Sequence, residues 1–299
     1  MFKKKNINSE KNSKIFTVIG LFAFGLFAIA LILLMFWTII TTLKSTNEFR
    51  NNNLFGLPKE WAFKNYFTAI SYFKVQIASG DGLRWVGILE MLLNTILYAG
   101  IGTLMYVLCH YIVAYCTATY NYKFSKFIYA LVIVVMIIPI VGDTAARIQL
   151  LRSLKMYDNW LGFFFQRFGF TGLHFLIMYE TIKAVPKEMG EAARIDGASE
   201  FRIMSTIILP IVAGMVGAIF LITFIAQWNE FQFAIMYMPT HPTLSYGLYM
   251  YNKTALNEVA RSVPLQLSGC VLILLPILIL FICFRKKIMG NLSLGGVKE

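Results

Sequence analysis

Charged residues are scarce in this 299-residue chain. Asp, Glu, Lys and Arg make up 14% of it, against about 25% in soluble domains, which disfavours a soluble globular fold. There are three histidines and four cysteines. The cysteines all lie in apolar segments without a C-x-x-C pair, so neither a disulfide framework nor a metal site follows from them; they are Cys109, Cys116, Cys270 and Cys283.

Nucleotide-binding and hydrolytic motifs are also missing. The chain has no G-x-x-x-x-G-K-[ST], the loop that cradles phosphates, and it has neither H-E-x-x-H nor G-x-S-x-G. We therefore expect a protein that is not an enzyme and that has no cofactor of its own. Any energy source has to come from elsewhere.

Apolar residues, in contrast, are abundant, at 58% of the chain. A net charge of +12 could suggest nucleic acid, but Lys and Arg at the ends of apolar runs are topology signals of membrane proteins, so we expect no nucleic-acid partner. The first run is longer than the apolar part of a signal peptide, which favours a retained anchor over a cleaved leader. The runs predict an all-α membrane protein with six transmembrane helices, at residues 15–43, 88–116, 127–141, 160–179, 207–226 and 263–284.

Two tails, 1–14 and 285–299, flank the predicted transmembrane domain, 15–284. Six spans place both tails on one side of the membrane. The short segments of that side hold 15 of the 27 Lys and Arg residues, so the positive-inside rule predicts cytoplasmic termini. Arg167 is the one basic residue within a predicted span, where a charge costs roughly 2.5–3.5 kcal/mol at the helix centre.

Residues 181–210 form the one long polar segment between apolar runs that has helix signals on both sides of a sharp turn. Pro186 suits the first turn of a helix, and Gly197, after Asp196, suits its end. Ser199 can cap a second helix. The pattern predicts a helix–turn–helix segment with an apolar stripe on the first helix and an inner face on the second: Val185, Met189, Ala192 and Ala193, then Phe201, Met204, Ser205 and Ile208.

The same residues carry a family resemblance. Glu191-Ala192-Ala193, then Gly197, then Ile208-Leu209-Pro210 resembles the EAA signature of permease subunits in binding-protein-dependent ABC importers. The sequence EAARIDGAS is similar to this signature in the MalG-like carbohydrate branch of the family. Trp61, Asn65 and Tyr66 resemble the W-x-x-x-N-Y pattern that precedes the second span in that family.

The resemblance implies a complex in the cytoplasmic membrane of a prokaryote. Its other members would be a second homologous permease, a dimeric cytoplasmic ATPase that binds ATP and Mg²⁺, and an extracytoplasmic solute-binding protein. Segment 181–210 would be the cytoplasmic coupling loop, touching the ATPase through Val185, Met189, Glu191, Ala192, Ala193, Asp196 and Gly197. Its four basic and four acidic residues between Lys183 and Arg202 suit a partner protein better than a generic positive-inside loop.

Two alternatives stay open beside an ABC importer of a sugar or oligosaccharide. A secondary transporter should show ionisable groups at mid-membrane, whereas the acidic residues here fall near the ends of the predicted spans: Glu90, Asp143, Glu180 and Glu230. The second alternative is a membrane scaffold protein that does not transport a solute. Transport into vesicles with and without ATP separates all three.

Four residues at the outer end of the fifth predicted span suggest a solute path. Gln227, Trp228, Asn229 and Glu230 combine an aromatic face with amide and carboxylate acceptors, which suits a polyhydroxylated ring. The competing interpretation is an interfacial Trp anchor with polar residues that cap a helix.

Overall fold

Helices dominate the structure, a computed structural model that describes residues 3–51, 53–80, 82–138, 142–253 and 262–292. The helices of this part of the chain are α1 (Lys3–Thr42), α2 (Thr46–Arg50), α3 (Lys64–Tyr72), α4 (Ile88–Thr95), α5 (Gly102–Thr119), α6 (Lys123–Ile137), α7 (Thr144–Ser153), α8 (Trp160–Gln166), α9 (Leu173–Lys183), α10 (Lys187–Ile195), α11 (Glu200–Arg202), α12 (Leu209–Asn229), α13 (Gln232–Tyr237), α14 (Leu244–Lys253) and α15 (Val263–Leu292). Two π-helical turns, Ile96–Ile101 and Ile203–Ile208, join α4 to α5 and α11 to α12.

A β-hairpin corrects the all-α prediction. Strands β1 (Lys74–Ser79) and β2 (Gly82–Gly87) pair antiparallel between the first and second predicted spans. Val75 and Ile77 are buried and alternate with exposed residues, which is the period-2 pattern of a strand. This alternation is short and lies among scattered aromatic residues, so it gives only a weak strand signal.

Four helices in the described residues are long and apolar enough to cross a membrane: Lys14–Thr42, Ile88–Thr119, Glu200–Asn229 and Val263–Ile282. They correspond to the first, second, fifth and sixth predicted spans. Both ends of the chain are more helical than predicted, because α1 begins at Lys3 and α15 continues to Leu292, inside the stretches predicted as tails.

In the structure, the third and fourth predicted spans differ from the prediction. Helix α6 has 15 residues, about 22 Å at 1.5 Å per residue, which is shorter than a bilayer core of about 30 Å. Residues 139–141, the end of that predicted span, lie outside the described residues. The fourth predicted span is not one helix: α8 ends at Gln166 and α9 begins at Leu173. The break falls at Arg167, the residue that made this span costly. The count of six crossings stays a prediction.

The chain divides into two units. The first holds α1, α2, α3 and the beginning of α15. In it, the Asn65 side chain donates to the backbone oxygens of Thr42 and Lys44, at 2.8 and 2.7 Å, and the Tyr66 hydroxyl lies 2.7 Å from Thr42 Oγ1. The tryptophan–asparagine–tyrosine pattern therefore has a structural role here, because Asn65 and Tyr66 fix the end of α1.

The second unit holds the hairpin, α4 to α14 and the rest of α15. Helices α5, α9 and α12 pack on one another around a core that also takes in the inner face of the helix–turn–helix segment. Buried residues of this core include Tyr111, Phe175, Met178, Val212, Ile219, Ala193 and Ile203.

Candidate functional site

The turn of the helix–turn–helix segment has the predicted geometry. Helix α10 begins after Pro186 and ends at Ile195, and Gly197 follows with φ +80°. The Gly197 N–H donates to Arg194 O at 3.0 Å and the Ala198 N–H to Ala193 O at 2.9 Å. This pair of bonds is the Schellman motif, which needs a left-handed residue where Gly197 stands. Ser199 Oγ accepts the Arg202 N–H at 3.4 Å, capping the next helix as predicted.

The predicted apolar stripe of the first helix is divided between two surroundings. Ala193 and Gly190 are buried against the chain's own core, whereas the Met189 side chain is 48% exposed. Val185 precedes Pro186 and the start of the helix, so helical periodicity does not relate it to the others. The narrow Gly190–Ala193 face packs inward in this chain, so a contact between Ala193 and a partner stays a prediction.

Helix α10 and the start of α11 expose large apolar side chains and acidic ones. Met189 is 48% exposed, Ile195 87% and Phe201 of α11 73%; Phe201 was predicted on the inner face. Ile195 comes six residues after Met189, roughly 120° around the helix, so the exposed apolar residues are spread over the outward side. Also exposed are Glu188, Glu191, Ala192 and Asp196. We call Met189, Ile195, Phe201 and these four the outward face.

A cluster of polar side chains fixes the angle between the two helices. Arg194 Nε and Nη2 donate to the two carboxylate oxygens of Glu200, at 2.6 and 3.1 Å. The Tyr120 hydroxyl, from the end of α5, donates to Glu200 Oε2 at 2.7 Å. The hydrogen bond to Glu200 raises the pKa of Arg194, and partial burial together with the same carboxylate raises the pKa of Tyr120. We call Arg194, Glu200 and Tyr120 the clasp.

The four residues predicted as a solute path do not converge on one surface. Trp228 is 2% exposed and lies 5.7 Å from the Phe224 ring, centroid to centroid. Asn229 Nδ2 donates back to Ile225 O of its own helix at 2.9 Å. Glu230 Oε1 accepts the backbone N–H groups that begin α13, at 2.8 and 3.1 Å, so it acts as a cap. Only Gln227 faces a polar and aromatic neighbourhood.

That neighbourhood surrounds Arg167. Its guanidinium carbon lies 4.7 Å from the centre of the Phe163 ring, 4.6 Å from that of Phe233 and 5.3 Å from that of Tyr98. Arg167 Nη2 donates to the Tyr98 hydroxyl at 3.0 Å. A Cβ on Gly102 would lie 2.9 Å from both Gln227 Oε1 and the Phe163 ring, so the Gln227 amide borders the same cluster. We call Arg167, Tyr98, Phe163, Phe233 and Gln227 the arginine cluster.

Comparison with known proteins decides the class of the chain. Residues 110–289 match the family described as the inner membrane component of binding-protein-dependent transport systems. The match spans more than half of the chain and includes the whole helix–turn–helix segment. The chain belongs to this family. It is therefore a transport permease subunit, and the resemblance drawn from residues 191–210 is confirmed.

Several curated permeases are similar to this one over most of its length. It is 27% identical over 208 residues to the melibiose/raffinose/stachyose import permease protein MelC of Bacillus subtilis, covering 69% of this chain and 75% of that protein. It is 24% identical over 268 residues to the sulfoquinovosyl glycerol transport system permease protein SmoH of Agrobacterium fabrum, with 88% and 87% covered. The trehalose/maltose transport system permease protein MalG of Thermococcus litoralis is 26% identical over 229 residues, with 75% and 80% covered.

The permease fold is also found in a solved structure. A chain in the crystal structure of a bacterial ABC transporter involved in the import of the acidic polysaccharide alginate superposes with a TM-score of 0.72, covering 92% of this chain and 97% of that one. The two chains are 18% identical, so this likeness concerns the fold.

Sequence reasoning about this permease missed the arginine cluster and three of the seven residues of the outward face, Glu188, Ile195 and Phe201. Arg167 carried a signal, since a charge inside an apolar run calls for a partner, but its aromatic neighbours come from segments far apart in sequence. Ile195 gave a weaker signal, as an apolar residue next to the Asp196-Gly197 turn. Among the described residues, no group of three or more His, Cys, Asp or Glu side chains is placed to hold a metal ion.

Proposed function

We propose that the chain is the membrane-spanning subunit of an ABC importer that takes up a sugar or oligosaccharide delivered by a solute-binding protein. The family match over residues 110–289 carries this proposal, since the family serves binding-protein-dependent transport. The relatives named above transport sugars or glycosides according to their names, which supports a carbohydrate as the solute.

The outward face would be the coupling surface for a cytoplasmic ATPase. Its exposed apolar side chains, Met189, Ile195 and Phe201, would pack on the partner, and its exposed acidic residues would match basic side chains there. The clasp would hold α10 at a fixed angle to α11, which continues into the long helix ending at Asn229. Closure of the ATPase dimer would then move that helix as a lever and switch the pathway between inward and outward openings.

The proposal includes the rest of the complex and its placement. A second homologous permease would complete the pathway, an ATPase dimer would bind ATP and Mg²⁺, and the lipid bilayer would surround the spans. The helix–turn–helix segment and both termini would face the cytoplasm of a prokaryote, as the distribution of Lys and Arg predicts.

The test combines ATPase capture with uptake. We expect Ile195→Asp and Glu191→Lys to insert normally and to retain the partner permease, because both side chains are exposed. Capture of the ATPase on an affinity-tagged permease should fall about tenfold, since one change replaces an exposed apolar side chain by a charge and the other reverses an exposed charge. Solute uptake into ATP-loaded vesicles should fall in parallel.

A matched charge reversal controls for surface charge itself. Lys123 is also exposed and lies in another predicted cytoplasmic loop, so Lys123→Glu should leave ATPase capture unchanged. Wild-type capture by both outward-face variants would show that this face is not the coupling surface. Uptake by the wild-type complex without ATP would instead point to an ion-coupled transporter.

A further inference from the structure

Three interruptions of regular helix meet at the arginine cluster. Tyr98 lies in the π-helical turn Ile96–Ile101. Arg167 directly follows the last residue of α8, where the predicted fourth span breaks. Phe233 lies on α13, just past the end of α12. Helices in a membrane tolerate irregular backbone where it is enclosed by protein or lines a pathway, and discontinuous helices often form transport sites. The position of the cluster is therefore typical of a solute path.

The guanidinium of Arg167 is held in a fixed orientation. Phe163 and Phe233 each lie within 5 Å of its carbon, and the Tyr98 hydroxyl accepts one of its N–H groups. The two rings and the hydroxyl group thus restrict the orientation of the guanidinium plane. A planar guanidinium presents N–H donors along its edges, and those edges suit the two oxygens of a carboxylate.

Two polar atoms of the cluster lack partners. Arg167 Nε and Gln227 Oε1 are both buried and without a hydrogen-bond partner among the described residues, and Gln227 as a whole is 7% exposed. Buried polar atoms are nearly always hydrogen-bonded, and an exception needs an explanation. A ligand with both a charged oxygen and a hydroxyl group would satisfy this donor and this acceptor.

The positive charge of Arg167 is also unpaired. None of the ion pairs found among the described residues involves it. Glu230 is the acidic residue next to the cluster along the chain, but its carboxylate accepts the N–H groups of Gln232 and Phe233. Leaving a cation without a counter-ion in a membrane protein is costly, so a negatively charged ligand would be favoured there.

We infer that the arginine cluster binds the carboxylate of an acidic sugar, so that the imported carbohydrate is a uronate-containing oligosaccharide. This inference rests on the proposed function and narrows its solute. Arg167 receives the carboxylate through its unpartnered Nε–H, and the Gln227 amide oxygen accepts a hydroxyl group of the same sugar. Tyr98, Phe163 and Phe233 are positioning residues that orient the guanidinium.

The experiment uses two probes that differ in charge alone. One is a partial hydrolysate of pectin, rich in galacturonate oligomers; the other is prepared from carboxyl-reduced pectin, in which the same linkages join neutral galactose. The whole transporter, with its own binding protein and ATPase, is reconstituted in proteoliposomes, and the imported oligomers are identified by mass spectrometry. We expect ATP-dependent uptake that favours the acidic oligomers.

Arg167→Gln should lower the acidic-to-neutral uptake ratio by about 10- to 100-fold, the range for losing a hydrogen bond to a charged group. Arg167→Lys keeps the positive charge but loses the planar guanidinium, so it should lower the ratio less. If the Arg167→Gln variant does not assemble, the ratio measured for Arg167→Lys tests the inference. Arg152→Gln is the matched control, because Arg152 is an exposed arginine stacked on one ring, that of Tyr157, at 4.8 Å. Its ratio should equal that of the wild type.

Two results would overturn the inference alone. One is a wild-type complex that imports only neutral oligomers; the other is an unchanged ratio in assembled Gln and Lys variants. Both leave the proposed function standing, since ATP-dependent carbohydrate uptake is still observed. A wild-type complex that imports neither probe in the presence of ATP would contradict the inference as well, whereas the proposed function would fail only for a complex that takes up no carbohydrate with ATP.

Discussion

A methyl group should have opposite effects at two glycines of the helix–turn–helix segment. At Gly197 there is open space for a Cβ, but φ is +80°, so Gly197→Ala should destabilise the segment by about 1–2 kcal/mol through backbone strain. At Gly190 a Cβ would lie 3.8 Å from Arg194 Nη1 and Ile203 Cγ2, an ordinary contact. Gly190→Ala should stabilise α10 by roughly 0.5–1 kcal/mol, because alanine is the better helix former.

Thermal unfolding of the purified complex at one scan rate checks both changes. The midpoint should fall for Gly197→Ala and should hold or rise for Gly190→Ala. Asparagine tolerates the left-handed conformation better than alanine does, so Gly197→Asn should fall between wild type and Gly197→Ala. Equal midpoints for the wild type, Gly197→Ala and Gly197→Asn would show that φ at this residue is not strained.

Residue-scale inference from sequence worked where one residue type has one physical use. Gly197 and Ser199 were assigned to the turn and the cap, and the structure has them there, because few residues adopt positive φ or accept a backbone N–H at that point. Ala193 was predicted to face a partner, and it packs against the core of this chain. Its small side chain suits close packing on either face of a helix, so the sequence alone does not decide which face it occupies.

The clasp belongs to the scale of elements, because it joins three of them: α5, α10 and α11. Glu200→Gln should change stability little, by up to about 1 kcal/mol, since the Arg194–Glu200 ion pair is 37% and 46% exposed and exposed pairs contribute weakly. The solute carried per ATP hydrolysed should nevertheless fall several-fold, because α10 would no longer hold its angle to the helix that follows.

An ion pair of similar exposure elsewhere provides the control. Asp143 pairs with Arg147 in α7, with side chains 39% and 47% exposed, so Asp143→Asn removes a comparable pair outside the helix–turn–helix segment. Uptake and ATP hydrolysis by purified complexes in proteoliposomes give the ratio for each variant. A Glu200→Gln complex that carries as much solute per ATP as the Asp143→Asn complex would remove the clasp from the coupling mechanism.

Elements were predictable from sequence in proportion to the length of their pattern. The four long apolar helices were recognised because their runs exceed the thickness of a bilayer. The break between α8 and α9 was not placed, although Arg167 marked it, because an apolar run does not show where a helix stops inside it. Hairpin β1–β2 was missed because its alternation covers a few residues only.

Orientation in the membrane concerns the whole molecule. In a background without native cysteines, Lys123→Cys and Asp196→Cys should react with a membrane-impermeant maleimide only after cells are opened, and Asn252→Cys should react in intact cells. All three side chains are exposed, so the bilayer decides the labelling. Asp196 stands in for its neighbour Gly197, where a side chain would be strained.

Labelling yields before and after opening the cells give the result directly. Reaction of Asp196→Cys in intact cells would reverse the predicted orientation and remove the outward face from the cytoplasm. Reaction of Lys123→Cys on the side opposite to Asp196→Cys would instead show that the number of membrane crossings between these two residues differs from the predicted one. That number depends on the short α6 and the divided fourth span.

Helix α1 bears on how the protein is made. From Lys14 to Thr42 it is strongly apolar, and the side chains of its most apolar stretch are all exposed, so they depend on lipid or on another subunit for their surroundings. This helix is synthesised before the other long apolar helices and needs no later part of the chain to satisfy its backbone, since a helix bonds within itself. It can therefore enter the bilayer during synthesis and anchor the growing chain. The arginine cluster closes only after Phe233 has been translated, so the tether precedes the solute path in the order of biogenesis.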